Sequence, residues 1–311
     1  MMPTLQFLND EKYGRYAMNT TDQLTHDIQC AALDVLKEFK RICNMRNLTY
    51  YAIGGTCIGA IRHKGFIPWD DDIDVAMPYE DYLKFIEYSK TDLNPKYSII
   101  GPHTCKHYTE CYIKLQNSET TFVEGAAEKY PDRYAGIYID IFPVHGLPVG
   151  SAKVWLVEHV SALQNKLNLR LRFEKDDGDT KQWKFTWKLC APLRKIHHYD
   201  YYRQRQERML AKYPLDCSDK VIFCWRKIPK KNSKSTYKDI FLYEDFCEAV
   251  EVPFEDTTIL VPKGYDRYLT MDFGDYMILP PKEQQVARHP KAIIDLSKPY
   301  SFYLQNQKGR T

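Results

Sequence analysis

Four carboxylates fall within five residues at Asp70-Asp71-Asp72-Ile73-Asp74, just downstream of the glycine turn Gly54-Gly55-Thr56. Like charges this close repel, and a fold keeps them only where a cation offsets the repulsion. Oxygen-only ligands suit magnesium or manganese, and such an ion belongs with a phosphate-bearing substrate. A solvated acidic loop is the competing reading. Against it, Ile73 and Val75 alternate with polar positions as in a half-buried strand. A period of two puts Asp72 and Asp74 on one face, about 6–7 Å apart, near enough to share one ion or a pair. Asp70 has the same parity, whereas Asp71 is expected to point away.

The glycine turn fits the same chemistry. Tyr50 to Ile53 reads as a short strand, and Gly54-Gly55 lets the backbone turn sharply and approach a ligand. Thr56 adds a hydroxyl at the start of a short helix expected over 57–61, whose leading amides favour an anion. Arg62 and Lys64 follow on the link to the acidic run, and a guanidinium there could clamp phosphate oxygens. No Walker loop and no Gly-x-Gly-x-x-Gly fingerprint is present.

The continuous segment from Gly54 to Val75, with His63-Lys64-Gly65-Phe66-Ile67-Pro68-Trp69 joining the two motifs, resembles the LicD family of the nucleotidyltransferase superfamily. Tyr138-Ile139-Asp140-Ile141-Phe142-Pro143 resembles that family's second carboxylate strand. Phe273-Gly274-Asp275-Tyr276-Met277, with Leu279-Pro280-Pro281 and His289, resembles its C-terminal signature, so the likeness spans roughly residues 22 to 290. Members transfer phosphocholine from CDP-choline to sugars of bacterial surface polymers, of teichoic acid or lipopolysaccharide type, and fukutin-type ribitol-phosphate transferases are related. The resemblance implies a magnesium- or manganese-dependent phosphotransferase that releases CMP. It implies Asp72, Asp74 and Asp140 as catalytic residues, and Asp70, Asp72, Asp74 and Asp140 as metal ligands. Gly54, Gly55, Thr56, Arg62, Lys64 and His289 would hold the donor. The acceptor would be a saccharide, free or lipid-linked. Choline cannot be held by conventional hydrogen bonds and needs aromatic faces, for which Trp69, Tyr134, Tyr138 and Tyr276 lie nearest the motifs. Two alternatives stay open: transfer of ribitol phosphate or phosphoethanolamine by the same chemistry, and a catalytically silent saccharide-binding protein on the same fold.

Composition narrows the classes. A net charge of +3 over 311 residues is too small to point to nucleic acid. Nine cysteines without a Cys-x-x-Cys pair suggest reduced thiols and a cytoplasmic setting, and zinc at Cys105 and Cys111 or at Cys217 and Cys224 would require further ligands. The N-terminal residues hold no apolar run of signal-peptide length, and no stretch reaches the roughly 18–20 apolar residues of a membrane span. The expected location is therefore the cytoplasm, with the inner face of the cytoplasmic membrane as a working surface.

The elements that must position these side chains are legible in part. Leu24, Ile28, Ala31, Val35, Phe39 and Ile42 recur at helical spacing and predict an amphipathic helix over 21–47. A second helix is expected after Pro78, and strands over 97–100, 108–116 and 136–142. Short strands return over 241–262, followed by a helix over 264–271. The predicted class is α+β: a nucleotidyltransferase-like mixed sheet flanked by helices, with a mainly helical insertion. The predicted division is a catalytic core over 1–150, a basic and aromatic insertion over 151–240, and a segment over 241–311 that returns to complete the site. Within the insertion Val157, Val160, Leu163, Leu167 and Leu171 form an apolar stripe whose basic flanks suit an anionic membrane surface or a lipid-linked acceptor, or else an ordinary helical subdomain.

Overall fold

The computed structural model describes residues 21–124, 129–177, 180–217, 219–223, 240–286 and 291–308. His289 and Arg288, the lead-in over 1–20, the basic link over 227–238 and Cys224 lie outside the described residues.

Helix α1 (Thr21–Arg46) forms where the apolar spacing predicts it, and Ile28, Val35, Leu36, Phe39 and Ile42 are fully buried along its inner face. A two-residue strand β1 (Tyr51–Ala52) leads into α2 (Gly54–Ile58), which widens into a π-turn over Gly59–His63. Strand β2 (Asp74–Pro78) and helix α3 (Tyr79–Asp92) come next, Pro78 standing just before the helix where its fixed φ and missing N–H do no harm. Strands β3 (Tyr97–Ile100), β4 (Ile113–Asn117), β5 (Thr121–Glu124) and β6 (Tyr138–Gly146) follow. The helical stretch consists of α4 (Ser151–Arg172), α5 (Lys181–Leu189), α6 (Ala191–Ile196) and α7 (Tyr201–Leu210). The chain then rejoins the sheet through β7 (Lys220–Phe223) and β8 (Ile240–Leu242). It continues with α8 (Tyr243–Phe246), the hairpin β9 (Ala249–Phe254) and β10 (Thr257–Pro262), α9 (Tyr265–Phe273), β11 (Lys291–Asp295) and α10 (Tyr300–Lys308).

The fold is α+β. Its main sheet runs β1-β2-β6-β4-β3, with β7 added onto β6 and β8 onto β7. The long β6 is parallel to β2 and antiparallel to β4 and β7, and all nine of its residues are buried. Helices α1 and α3 pack on the sheet. Ile73, Val75, Met77, Leu115, Ile139 and Ile141 are fully buried in the same core. Among the described residues no helix is long and apolar enough to cross a membrane.

Two local expectations change. Strand pairing begins only at Asp74, so residues 70–73 are extended but irregular, although burial still alternates through Asp71, Ile73 and Val75. Residues 108–112 likewise precede the paired strand β4 rather than belonging to it. In both stretches the alternation follows side-chain burial, while pairing depends on whether a neighbouring strand reaches that far.

Candidate active site

The register of the sheet builds the floor of the site. Asp74 on β2 is paired with Asp140 on β6, and Asp140 is in turn paired with Lys114 on β4. Residues in register on adjacent strands share a face and lie about 4.8 Å apart along the ladder. A row Asp74–Asp140–Lys114 therefore crosses three strands at one level. Lys114 Nζ donates to Asp140 at 2.9 Å and lies 3.5 Å from Glu124, with both Lys114 and Asp140 nearly buried. The same ammonium sits 3.4 Å from the centre of the Tyr138 ring, whose hydroxyl donates to Glu124.

Close to this row are the other acidic residues. Asp70, Asp71 and Asp72 each offer a carboxylate oxygen, and these oxygens lie within 4.8 Å of one another. Asp71, expected to point away, belongs to the group because the backbone over 70–73 is not a regular strand. The fields of the two groups overlap. Burial, then the charges of Asp72, Asp140 and Asp70, push the Asp74 carboxyl well above the usual carboxylate range, against the pull of Lys114. Burial is also the main cause at Asp140, which rises to about 6 although Lys114 pulls it down, with Asp72 and Glu124 adding to the rise.

The glycine turn is pressed directly onto these acids. Gly54 has φ +55°, a left-handed conformation that glycine adopts without penalty, and a Cβ there would sit 3.6 Å from Asp74 Oδ2. A Cβ on Gly55 would fall 2.5 Å from Asp70 Oδ2, inside van der Waals contact. The Thr56 hydroxyl accepts from the Asp74 amide at 2.8 Å, and Ile53 N–H donates to the Asp74 carbonyl at 3.1 Å. The Gly54 amide donates to the hydroxyl of Tyr268, a buried residue of α9, at 2.8 Å. Thus the turn, the acidic strand and the C-terminal helix are locked together around Asp74.

The remaining candidates are distributed as follows. Arg62 lies on the π-turn and donates to the carbonyls of Tyr276 and Ile278, tying the C-terminal signature to the glycine-turn helix. Lys64 is exposed at the end of that turn with φ 59°. Of the aromatic candidates, Tyr138 borders the Asp140 row, Trp69 packs edge-on to His63, and Tyr276 donates to Asp266. Tyr134 falls in a separate cluster with Val123 and Tyr303. The four do not form one cage. Cys105 is buried and donates to Asp132, and it forms no disulfide with Cys111.

Sequence reasoning missed Lys114 and Glu124. Lys114 did carry a signal: it is the lone charge in Tyr112-Ile113-Lys114-Leu115-Gln116, a stretch otherwise suited to a buried strand. A lysine in such a place requires a partner.

An α+β domain with a carboxylate site at the edge where β2 and β6 begin is what these elements define. Residues 47–197 match the family model described as LicD/FKTN/FKRP, nucleotidyltransferase domain. The lipopolysaccharide cholinephosphotransferase LicD of Haemophilus influenzae is 28% identical over 267 residues, covering 84% of this chain and 94% of that protein. An uncharacterized protein of Rickettsia typhi is 26% identical over 136 residues, covering 44% of this chain and 39% of its own length. Both matches make the chain similar to the LicD family.

Proposed function

We propose that this protein is a phosphotransferase that moves phosphocholine from CDP-choline to a sugar hydroxyl of a lipopolysaccharide or teichoic acid precursor, releasing CMP. The observation that carries the reading is the Asp74–Asp140 register beside the Asp70–Asp72 oxygens, all backed by the glycine turn. The 28% identity to a lipopolysaccharide cholinephosphotransferase supports the choice of group and acceptor.

The donor set suits a magnesium or manganese ion: it is all oxygen, and the neighbouring carboxylates add to the burial that raises the pKa of Asp74 and Asp140. Asp70, Asp72 and Asp74 would hold it, with Asp140 at the edge of the site. A bound divalent ion supplies charge neutralisation for the diphosphate. Gly54 and Gly55 keep the floor of the site open. Asp140, with a pKa near 6, is suited to accept the acceptor hydroxyl's proton. The acceptor oxygen forms a bond to the phosphorus that bears choline, the bond from that phosphorus to CMP breaks, and CMP leaves with the electron pair. Lys114 keeps Asp140 ionised and fixes its orientation through the 2.9 Å contact.

The direct test incubates the protein with a saccharide acceptor and a panel of CDP-alcohols, with and without magnesium, and measures CMP. CDP-choline should be turned over only with the ion present. Preference for CDP-ribitol or CDP-ethanolamine would change the transferred group, and metal-independent turnover would overturn the mechanism. Gly55→Ala provides a second check. The new methyl would meet Asp70 Oδ2 at 2.5 Å, so Asp70 must shift. Magnesium affinity, read by calorimetric titration, should fall about 10- to 100-fold. Unchanged affinity would remove Asp70 from the ligand set.

A further inference from the structure

Helix α4 is built with its polarity reversed over much of its length. Its buried face carries Ser161, Gln164, Asn168 and Arg172. The fully buried Arg172 donates to the carbonyls of Pro102, Cys105 and Lys106, so this inner face is satisfied partly by loop backbone. The outer face exposes Trp155, Leu156 and Leu163, each more than half accessible (58%, 55% and 57%). Leu163 belongs to the apolar stripe read from sequence, of which Val157 and Leu171 turn inward and Leu163 turns out.

The next helices repeat the pattern. On α5, Trp183, Thr186 and Trp187 face the end of α4: Arg170 lies over the Trp183 ring and donates to Thr186, and Trp187 donates to the Phe173 carbonyl. The opposite side presents Phe185 and Leu189, one turn apart and 68% and 69% exposed, and Ile196 at the end of α6 is 73% exposed. Lys181, Lys184 and Lys188 flank this ridge and are exposed, as are Lys153, Lys166 and Lys195. From residue 181 to 196 the sequence has five basic residues and no acidic one. A helix face with large apolar side chains framed by lysines matches the chemistry of an anionic lipid surface, where the rings enter the headgroup boundary and the ammonium groups meet phosphate.

We propose that the outer face of α4, α5 and α6 docks the protein onto an anionic phospholipid bilayer. The charge is the reason for choosing a bilayer over a second copy of this chain: a self-complementary contact would bring this lysine-framed ridge against itself and oppose like charges. The proposal does not rest on the reading of the carboxylate site, since it uses none of those residues.

The test is co-sedimentation of the full chain with vesicles of phosphatidylcholine alone and of phosphatidylcholine mixed with phosphatidylglycerol. The wild type should pellet with the mixed vesicles and stay in solution with the neutral ones, and added salt should release it. Two double variants at exposed positions separate the contributions. Phe185→Ser with Leu189→Ser removes the ridge, and Lys184→Glu with Lys188→Glu reverses its charge. Each should lower vesicle binding by about tenfold or more while circular dichroism and melting stay as in the wild type. Failure of the wild type to bind anionic vesicles would overturn the proposal, as would undiminished binding by either variant. A dimer seen by light scattering, lost in the Phe185→Ser/Leu189→Ser variant without any vesicle binding, would assign the face to a second copy instead.

Discussion

Asp74→Asn should abolish CMP release and, in the absence of divalent cations, make the protein more stable. Asp74 is the residue on which the site's repulsion converges, with Asp72, Asp140 and Asp70 all raising its pKa on top of burial. Two carboxylates about 6 Å apart at an effective dielectric constant of about 20 repel by about 3 kcal/mol. An amide keeps the shape and removes the charge, so a gain of about 1–3 kcal/mol in unfolding free energy is expected in chelator. Turnover should drop by more than about a hundredfold, because a neutral amide replaces an anionic ligand. The pH dependence carries the same signature. Folding raises the pKa of Asp140 from 3.8 to about 6, with Asp74 shifted in the same direction. A carboxyl raised in the folded state stabilises most below its unfolded pKa, and that contribution is lost as pH climbs through the folded value. Without cations, the wild type's melting temperature should therefore decline from about pH 4 to beyond pH 6, more steeply than that of Asp74→Asn, and magnesium should flatten the decline. Full activity in Asp74→Asn, or a lower melting temperature in chelator, would contradict the assignment of the site.

Lys114→Met should unfold or severely destabilise the protein, in the range of about 3–5 kcal/mol expected when one member of a buried ion pair is removed. The side chain is 9% exposed, touches Asp140 and Glu124, and lies over the Tyr138 ring. Without it, Asp140 is left facing Asp72 and Glu124 inside the sheet, and its carboxyl must take up a proton to stay buried. The compensating variant distinguishes this account from a simple packing loss. Lys114→Met combined with Asp140→Asn removes both charges and should recover most of the lost stability in denaturant titrations, yet remain inactive. If the double variant is no more stable than Lys114→Met, the lysine serves as packing and not as the counter-charge of Asp140.

How much of this was legible in the residues differs from element to element. The C-terminal end of α1 followed from its apolar spacing to within a residue, because burial of one face of a long helix repeats every turn. That Asp70 and Asp72 lie together, with Asp74 in their field, followed from crowding of charge, which is local along the chain. The position of Asp71 did not, since it depends on the backbone leaving strand geometry before Asp74. The Thr56 hydroxyl accepts from the Asp74 amide, which orients the acid, and nothing in the sequence signals that bond. That bond joins positions 18 apart in the chain and exists only once the turn packs against β2.

The outward ridge of α4 marks another boundary. Spacing reveals that Val157, Val160, Leu163, Leu167 and Leu171 lie near one side of a helix, but periodicity carries no sign and cannot tell a face turned to the core from one turned out. Packing of α4 on α7, and the capture of Arg172 by loop carbonyls, decided which side is buried.

What the residues determined alone were the local facts: a crowded acidic run, a turn that requires glycine, a long amphipathic helix and the motifs of a family. Tertiary structure decided which charges meet. Lys114 lies 26 positions from Asp140, and only the antiparallel register of β4 against β6 brings them together. A shift of one residue in that register would turn Lys114 to the other face of the sheet. Pairing across strands is selected by the whole buried face at once, and no single stretch of sequence contains that information.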